Sequence, residues 1–368
     1  MVKIKRASIL LYTLLIISLI TLLTQQFVRT VWVGTIFGKL MVNRQQAKVL
    51  ALGGLNLAIS QISYREPKQR DATEKTEDKG LKDFLTRVLP HINRWQVFDL
   101  EKKFDGIDGQ IKFCITCENG KININQAFDF SKQEFKPVYK NLFKGLSIKG
   151  KIAEGEFEKR LVEFLKKRKR KLDEISELVD VQGFEKLDVF YSPPKDPKAR
   201  EQAKPNDTIF LQDLFTTWAD DENIELLFVS DSLSTIFGMR RPLANDAEKL
   251  KEKFEGIIKN FNKGWGADWN NNWTNIQTIY GAKPKNFDGF KQILSKQFGP
   301  QVYSVLSCGK VGDVEQRLLA VVEPLPQEEQ KDKKKDEKPP EAKPQQEQTK
   351  EKKESFPADF RIIKLYWI

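Results

Sequence analysis

From Ala7 to Leu23 the chain carries no charge, and Lys3, Lys5 and Arg6 stand just before that run. No other feature limits the fold as much. Seventeen uncharged residues are at the short end for a membrane-spanning helix. They are slightly long for the core of a cleaved export signal, and no A-x-A site follows. The helical pattern also continues past Leu23. The first proline is Pro67, and apolar residues recur at Phe27, Val28, Val31, Trp32, Phe37, Leu40 and Met41, then at Leu55, Ala58, Ile59 and Ile62. Those spacings fit one face of an α-helix. Gly53-Gly54 weakens it locally, by roughly 1 kcal/mol per glycine relative to alanine. A helix over about residues 3–63 would be about 90 Å long. Its first third requires lipid, and the rest would project as an amphipathic rod whose apolar stripe needs a partner. The leading cations keep the short N-terminus in the cytoplasm, so the bulk of the chain lies on the far side of the membrane.

The composition excludes more than it selects. The 368 residues can build one to three domains. The net charge of +11 is spread along the chain, and its densest run, Lys166 to Lys171, lies beside Leu161, Phe164 and Leu165 and reads as a solvated helix face. Nothing here calls for nucleic acid. With a single histidine, His91, a histidine-based zinc site or catalytic triad has no material. The phosphate-binding loop, the G-x-S-x-G elbow and the H-E-x-x-H motif are all missing. The chain does not read as an enzyme.

Beyond Pro67 the pattern changes. "LKDFLTRVLPHI" reads as a short helix ended by Pro90. Alternation from Gln110 to Glu118 puts Ile111, Phe113, Ile115 and Cys117 on one face of a strand. Asn119-Gly120 then predicts a hairpin turn, with "KININ" returning as a second strand. From about Phe128 to Phe298 four segments carry helical spacing: 158–179, 210–229, 245–261 and 287–298. Strands resume at Gln301, with a turn over 309–313. The stretch 327–355 holds lysines and acids in equal number, with alanine as its only apolar residue, so it cannot bury a core and is expected to be disordered. "FRIIKLYWI" then reads as a terminal strand.

The basic leader, apolar half-helix and amphipathic half-helix at the extreme N-terminus resemble those of type IV pilins and of the pseudopilins of type II secretion. The residues Asn119, Gly120, Asn123 and Asn125, within Asn-Gly-x-Ile-Asn-Ile-Asn, resemble the signature of the K-type minor pseudopilin. So do the segment around Gly309–Glu315 and a final strand with a tryptophan near its end. The resemblance covers both ends and the first β segment, about a third of the chain; the helical middle matches in kind. It implies processing by a prepilin peptidase at the Ala7–Ser8 junction, although the family usually has glycine before the cut. It also places Tyr12 where most members carry glutamate, and a missing glutamate there is typical of the K type.

The resemblance implies an α+β fold: a long N-terminal transmembrane and amphipathic helix, a pilin-like antiparallel sheet and a large inserted, mostly helical domain. The expected division is 1–64 for leader and helix, 65–127 for the first β part, 128–300 for the inserted domain, 301–323 for the returning strands, 324–357 for the charged linker and 358–368 for the last strand. It implies a single-pass inner-membrane protein with a periplasmic bulk. Helix packing is expected through Val28, Val31, Trp32, Leu55 and Ile59. The implied partners are the I- and J-type minor pseudopilins, the prepilin peptidase and the inner-membrane secretion platform. Calcium enters through the resemblance, with Asp220, Asp221 and Glu222 as the nearest acidic group.

Several features admit more than one reading. Cys114 and Cys117 form a C-x-x-C, but on a strand residues three apart face opposite sides, which argues against a redox pair. An oxidising compartment would permit a Cys117–Cys308 disulfide, and buried thiols are the alternative. Trp265, Trp269 and Trp273 could line a glycan-binding loop, although a spacing of four also puts them on one helical face in a core. The overall function reads as structural, a subunit capping a secretion pseudopilus. The competing reading is a membrane-anchored extracytoplasmic binding or adhesion protein.

Overall fold

The computed structural model describes residues 2–63, 82, 84–144, 152, 155–184, 209–219, 222–239, 287–296, 301–325 and 360–368, with isolated positions between 252 and 277. Helix α1 runs unbroken from Val2 to Ile62. No proline interrupts it, and the hydroxyls of Thr21, Thr24, Thr30 and Thr35 each donate to the carbonyl four residues back, at 2.8–2.9 Å. These polar side chains are thus satisfied within the helix. It ends at Ser63, whose amide and hydroxyl both bond the Ile59 carbonyl.

The chain continues through a helical turn at 84–88 into β1 (Trp95–Leu100), the short helix α2 (Lys102–Asp105) and β2 (Gly109–Cys117). Gly106 ends α2 with φ at 77°, a conformation that glycine adopts without strain. As the alternation predicts, Ile111, Phe113, Ile115 and Cys117 are buried. The expected hairpin does not form. Glu118–Gly120 is a 3-10 turn, and β3 (Ile122–Asn123) leaves β2 altogether. There follow α3 (Ile124–Ala127), the paired β4 (Phe128–Asp129) and β5 (Glu134–Phe135), α4 (Pro137–Lys144) and α5 (Glu156–Arg168). Next come α6 (Leu211–Leu214), β6 (Phe215–Thr216), α7 (Asp231–Ile236) and α8 (Phe287–Gln292). β6 is the true partner of β3, and the pair is parallel. The helix expected over 210–229 breaks into α6, β6 and a 3-10 turn at Leu226–Phe228, because Phe215–Thr216 is drawn into that strand pair.

β7 (Tyr303–Val311), β8 (Val314–Pro324) and β9 (Phe360–Trp367) complete one antiparallel sheet of order β1-β2-β7-β8-β9. Cys117 and Tyr303 are directly paired, so residues 118–302 form an insertion between two neighbouring strands. The second half of α1 lies across one face of this sheet, and the insertion covers the other. β7, in the middle, is buried on nearly every residue. Gly309 makes the helix contact possible: a Cβ there would run into the Ala47 carbonyl and the Ala51 amide. The Ser307 hydroxyl donates to the Ala51 carbonyl at 2.7 Å, and Gly54 sits over the same serine. The Gly53-Gly54 pair, unfavourable to the helix locally, thus gives it a close seat on β7.

The insertion has an aromatic core in which Phe135 meets Phe143 at 4.7 Å and Phe157 meets Phe184 at 5.1 Å and Phe215 at 6.1 Å. That core is continuous with the core beneath α1. The observed class is α+β, with a long apolar N-terminal helix, an antiparallel sheet and further helical segments.

Candidate membrane anchor and assembly surface

α1 has two environments. From Ala47 onward, Ala47, Ala51, Leu55, Ala58, Ile59 and Ile62 are buried in the protein's own core. Leu55 at 1% and Ile59 at 2% exposure are therefore not available to another molecule, which corrects the expectation that they pack against a partner. Upstream, Val28, Val31 and Trp32 are 59%, 50% and 65% exposed. The surface there is not a stripe. At about 100° per residue, Phe27, Val28, Val31, Trp32, Val33, Ile36, Phe37, Leu40, Met41 and Val42 fall on every side of the helix with no gap wider than about 40°, and all of them are exposed. The expected amphipathic rod is apolar all round up to Val42, with Arg29 and Lys39 as its charges after the leader. The helix is long and apolar enough to cross a membrane, compatible with a single-pass anchor. Ala7 and Ser8 lie within its first turns.

The family-like residues at the end of β2 form a buried joint. Asn119 Oδ1 accepts the Val302 amide at 2.8 Å, and its carbonyl accepts the Glu225 amide at 2.8 Å. Gly120 lies so close to the Phe228 carbonyl that no side chain fits. Asn123 caps α3 by accepting the Asn125 and Gln126 amides, while its own amide donates to the Ala219 carbonyl. Asn125 bonds Leu172 in both directions, at 2.8 and 2.9 Å. Asn119 thus ties the start of the insertion to its last residue, next to β7, and the other three make these contacts within the insertion.

Sequence reasoning missed the ion pair inside this joint. Lys121 Nζ lies 2.5 Å from Glu118 Oε1, with both side chains buried. Ser304 and Thr216 donate to the Glu118 oxygens at 2.6 and 2.5 Å. The i, i+3 spacing of Glu118 and Lys121 was legible, but that pattern is usual on exposed turns. A cavity of about 20 Å³, room for one water, is lined by Lys121, Ser304, Thr116, Gln212 and Asp213 beside the pair.

The cysteines are three buried thiols. Cys308 pairs with Lys112 and Cys117 with Tyr303, so the Cys117–Cys308 disulfide is not formed. The two lie five residue steps apart along neighbouring strands, about 16 Å at the usual strand rise, beyond disulfide reach. Burial raises the Cys117 thiol well above its ordinary value and pushes Cys308 up to about 12. Of the acidic trio, Asp220 and Asp221 lie outside the described residues. The Glu222 carboxylate pairs with Lys136 at 2.5 Å, and its carbonyl accepts the Tyr139 hydroxyl. Among the described residues, no three His, Cys, Asp or Glu side chains gather as a metal site. Trp273 is buried, while Trp265, Trp269 and the 327–355 stretch lie outside the described residues.

No protein-family model matches the chain. No curated protein matches it either. Among solved structures it is similar to a chain in the crystal structure of the GspK-GspI-GspJ complex from the enterotoxigenic Escherichia coli type 2 secretion system. The identity is 11%, the alignment covers 92% of this chain and 99% of that one, and the TM-score is 0.34. At that score the likeness decides nothing about role.

Proposed function

We propose that this chain is a K-type minor pseudopilin, a structural subunit that caps a short periplasmic filament of a type II secretion machine. One observation carries the reading. A single helix leaves a span-length apolar segment and, without a break, becomes the core helix of an antiparallel sheet, while its middle remains apolar and exposed. Such a helix can anchor a subunit in lipid and later pack it against neighbouring helices. The insertion between β2 and β7 adds bulk that suits an open filament end better than a packed shaft. Tyr12, where a glutamate would pair with a neighbour's terminal amine, fits a subunit with nothing above it. In this reading the prepilin peptidase cuts at Ala7–Ser8, residues 27–42 pack on I- and J-type partners, and the chain is not an enzyme.

The test uses heads lacking the first 30 residues, mixed with purified I- and J-type heads and followed by light scattering. A ternary complex is expected. Failure to bind either partner, with and without calcium, overturns the tip role. Normal export of secreted enzymes in a deletion strain transfers support to the adhesion reading. Mass spectrometry of the membrane-derived chain should find Ser8 as its first residue.

A further inference from the structure

The exposed apolar surface of α1 is longer than a bilayer is thick. An upright helix would fill a hydrocarbon layer of about 30 Å with about 20 residues. Phe37, Leu40, Met41 and Val42 would then stand in water, although all four are exposed on the protein. Inclined by about 40°, at the upper end of the usual range, the same layer takes about 27 residues, from Ala7 to Val33. Arg29 and Lys39 then lie near the outer headgroups, where their stems let the charges reach water. The residues to about Lys39 then cross the headgroup layer of about 5–7 Å, and Leu40, Met41 and Val42 lie at its outer edge, where the head meets the surface.

The face that meets it is identifiable. Gly312 lies against Asn43, and Gly109 against Leu50, so the β1–β2 and β7–β8 connections sit at the anchor end of the sheet. Gln61 bonds Gln96 at 2.7 Å at the other end. The β1–β2 connection presents Phe104, 75% exposed on α2 with the Lys103 ammonium 5.3 Å from its ring centre. Trp367, also exposed, pairs with Leu318 four residue steps back from that end and has Lys48 over its ring. Aromatic side chains beside lysines suit a membrane–water interface. Around Phe104 the charges balance, Lys102, Lys103 and Lys310 against Glu101, Asp105 and Asp108, so the attraction is apolar rather than electrostatic.

We infer that before assembly the bilayer itself covers the middle of α1: the chain leans, and its head rests on the membrane surface through Phe104. This rests on the anchor reading above. The test reconstitutes the full chain in phosphatidylcholine vesicles, with an environment-sensitive fluorophore on Phe104→Cys and, for comparison, on Lys132→Cys in the β4–β5 turn. Wild type should take up no label, because its thiols are buried. Nitroxide lipids labelled near the headgroup should quench the Phe104 site at least twofold more than the Lys132 site, unchanged by 0.5 M salt and by dilution of protein in lipid. Flotation with vesicles but equal quenching at both sites overturns the inference and leaves the anchor standing. Failure to float overturns both. Quenching lost on dilution assigns the surface to a second copy, and quenching lost in salt makes the contact electrostatic; either result overturns the inference.

Discussion

Lys121 and Glu118 show how much one buried pair can hold. Removing a single partner leaves an uncompensated charge inside the protein, a change that typically costs 3–5 kcal/mol. Lys121→Met should therefore lower stability by about 4 kcal/mol in urea titration, and Glu118→Gln combined with Lys121→Met should recover part of it. Equal loss in the single and double variants would show that packing, not charge, matters there. The cysteines give a pH signature. The folded Cys308 thiol holds its proton up to about 12, whereas the ordinary thiol value is 9.0. Above the ordinary value the unfolded chain therefore binds fewer protons than the folded one. Stability is fully present below about pH 9 and falls as pH rises toward 12. Between pH 9 and 11 the urea midpoint of Cys308→Ala should fall less steeply than that of wild type. A parallel fall would exclude this thiol as a source. In native protein at pH 8 the thiols should resist Ellman's reagent, and three should react after denaturation.

The helix–sheet contact depends on small groups. Gly309→Ala puts a methyl group into the backbone of α1, so the helix must lift from β7. A loss of more than about 2 kcal/mol is expected, near the scale of an overpacked core, read as a fall in melting temperature. An unchanged melting temperature would mean that the two elements can separate without cost. At this scale the sequence was a good guide to α1, a long apolar run without proline, to β2, where a period of 2 holds from Gln110 to Cys117, and to the β7–β8 hairpin and β9, which are rich in β-branched and aromatic residues on either side of turn or charged segments. It misled at Asn119-Gly120. A turn dipeptide bends a chain without saying which strand comes next, and here the neighbour of β2 lies beyond residue 302. β1 was missed because an edge strand with exposed Val97, Phe98 and Asp99 lacks a strong alternation. Similarly, the breaks at 211–229 come from the parallel pairing of Ile122–Asn123 with Phe215–Thr216, a long-range contact that local spacing cannot report.

Across the whole molecule, the insertion is not a detachable module. Tyr366 bonds Glu174 at 2.7 Å, the Lys364 ammonium lies over the Trp218 ring, and Gln212 and Asp213 line one small cavity together with Leu306 and Leu319 of the sheet. Replacing residues 119–301 with a short turn should yield an aggregating or unfolded head, because one sheet face would lose its cover. A soluble, cooperatively melting product would show the insertion to be independent. The candidate surface was half legible: the apolar run could be read directly, but the division of α1 between exposed and buried halves depends on where the sheet docks. That docking also has a temporal consequence. Ala51 and Ser307, which bond each other, are separated by 256 residues. At roughly 5–20 residues per second, the ribosome needs from about ten seconds to nearly a minute to supply the strand on which the helix rests, and β9 emerges last of all. Throughout that interval the newborn chain exposes Leu55, Ile59 and Ile62 with nothing to cover them, so its yield in the cell should depend on whatever shelters nascent polypeptide.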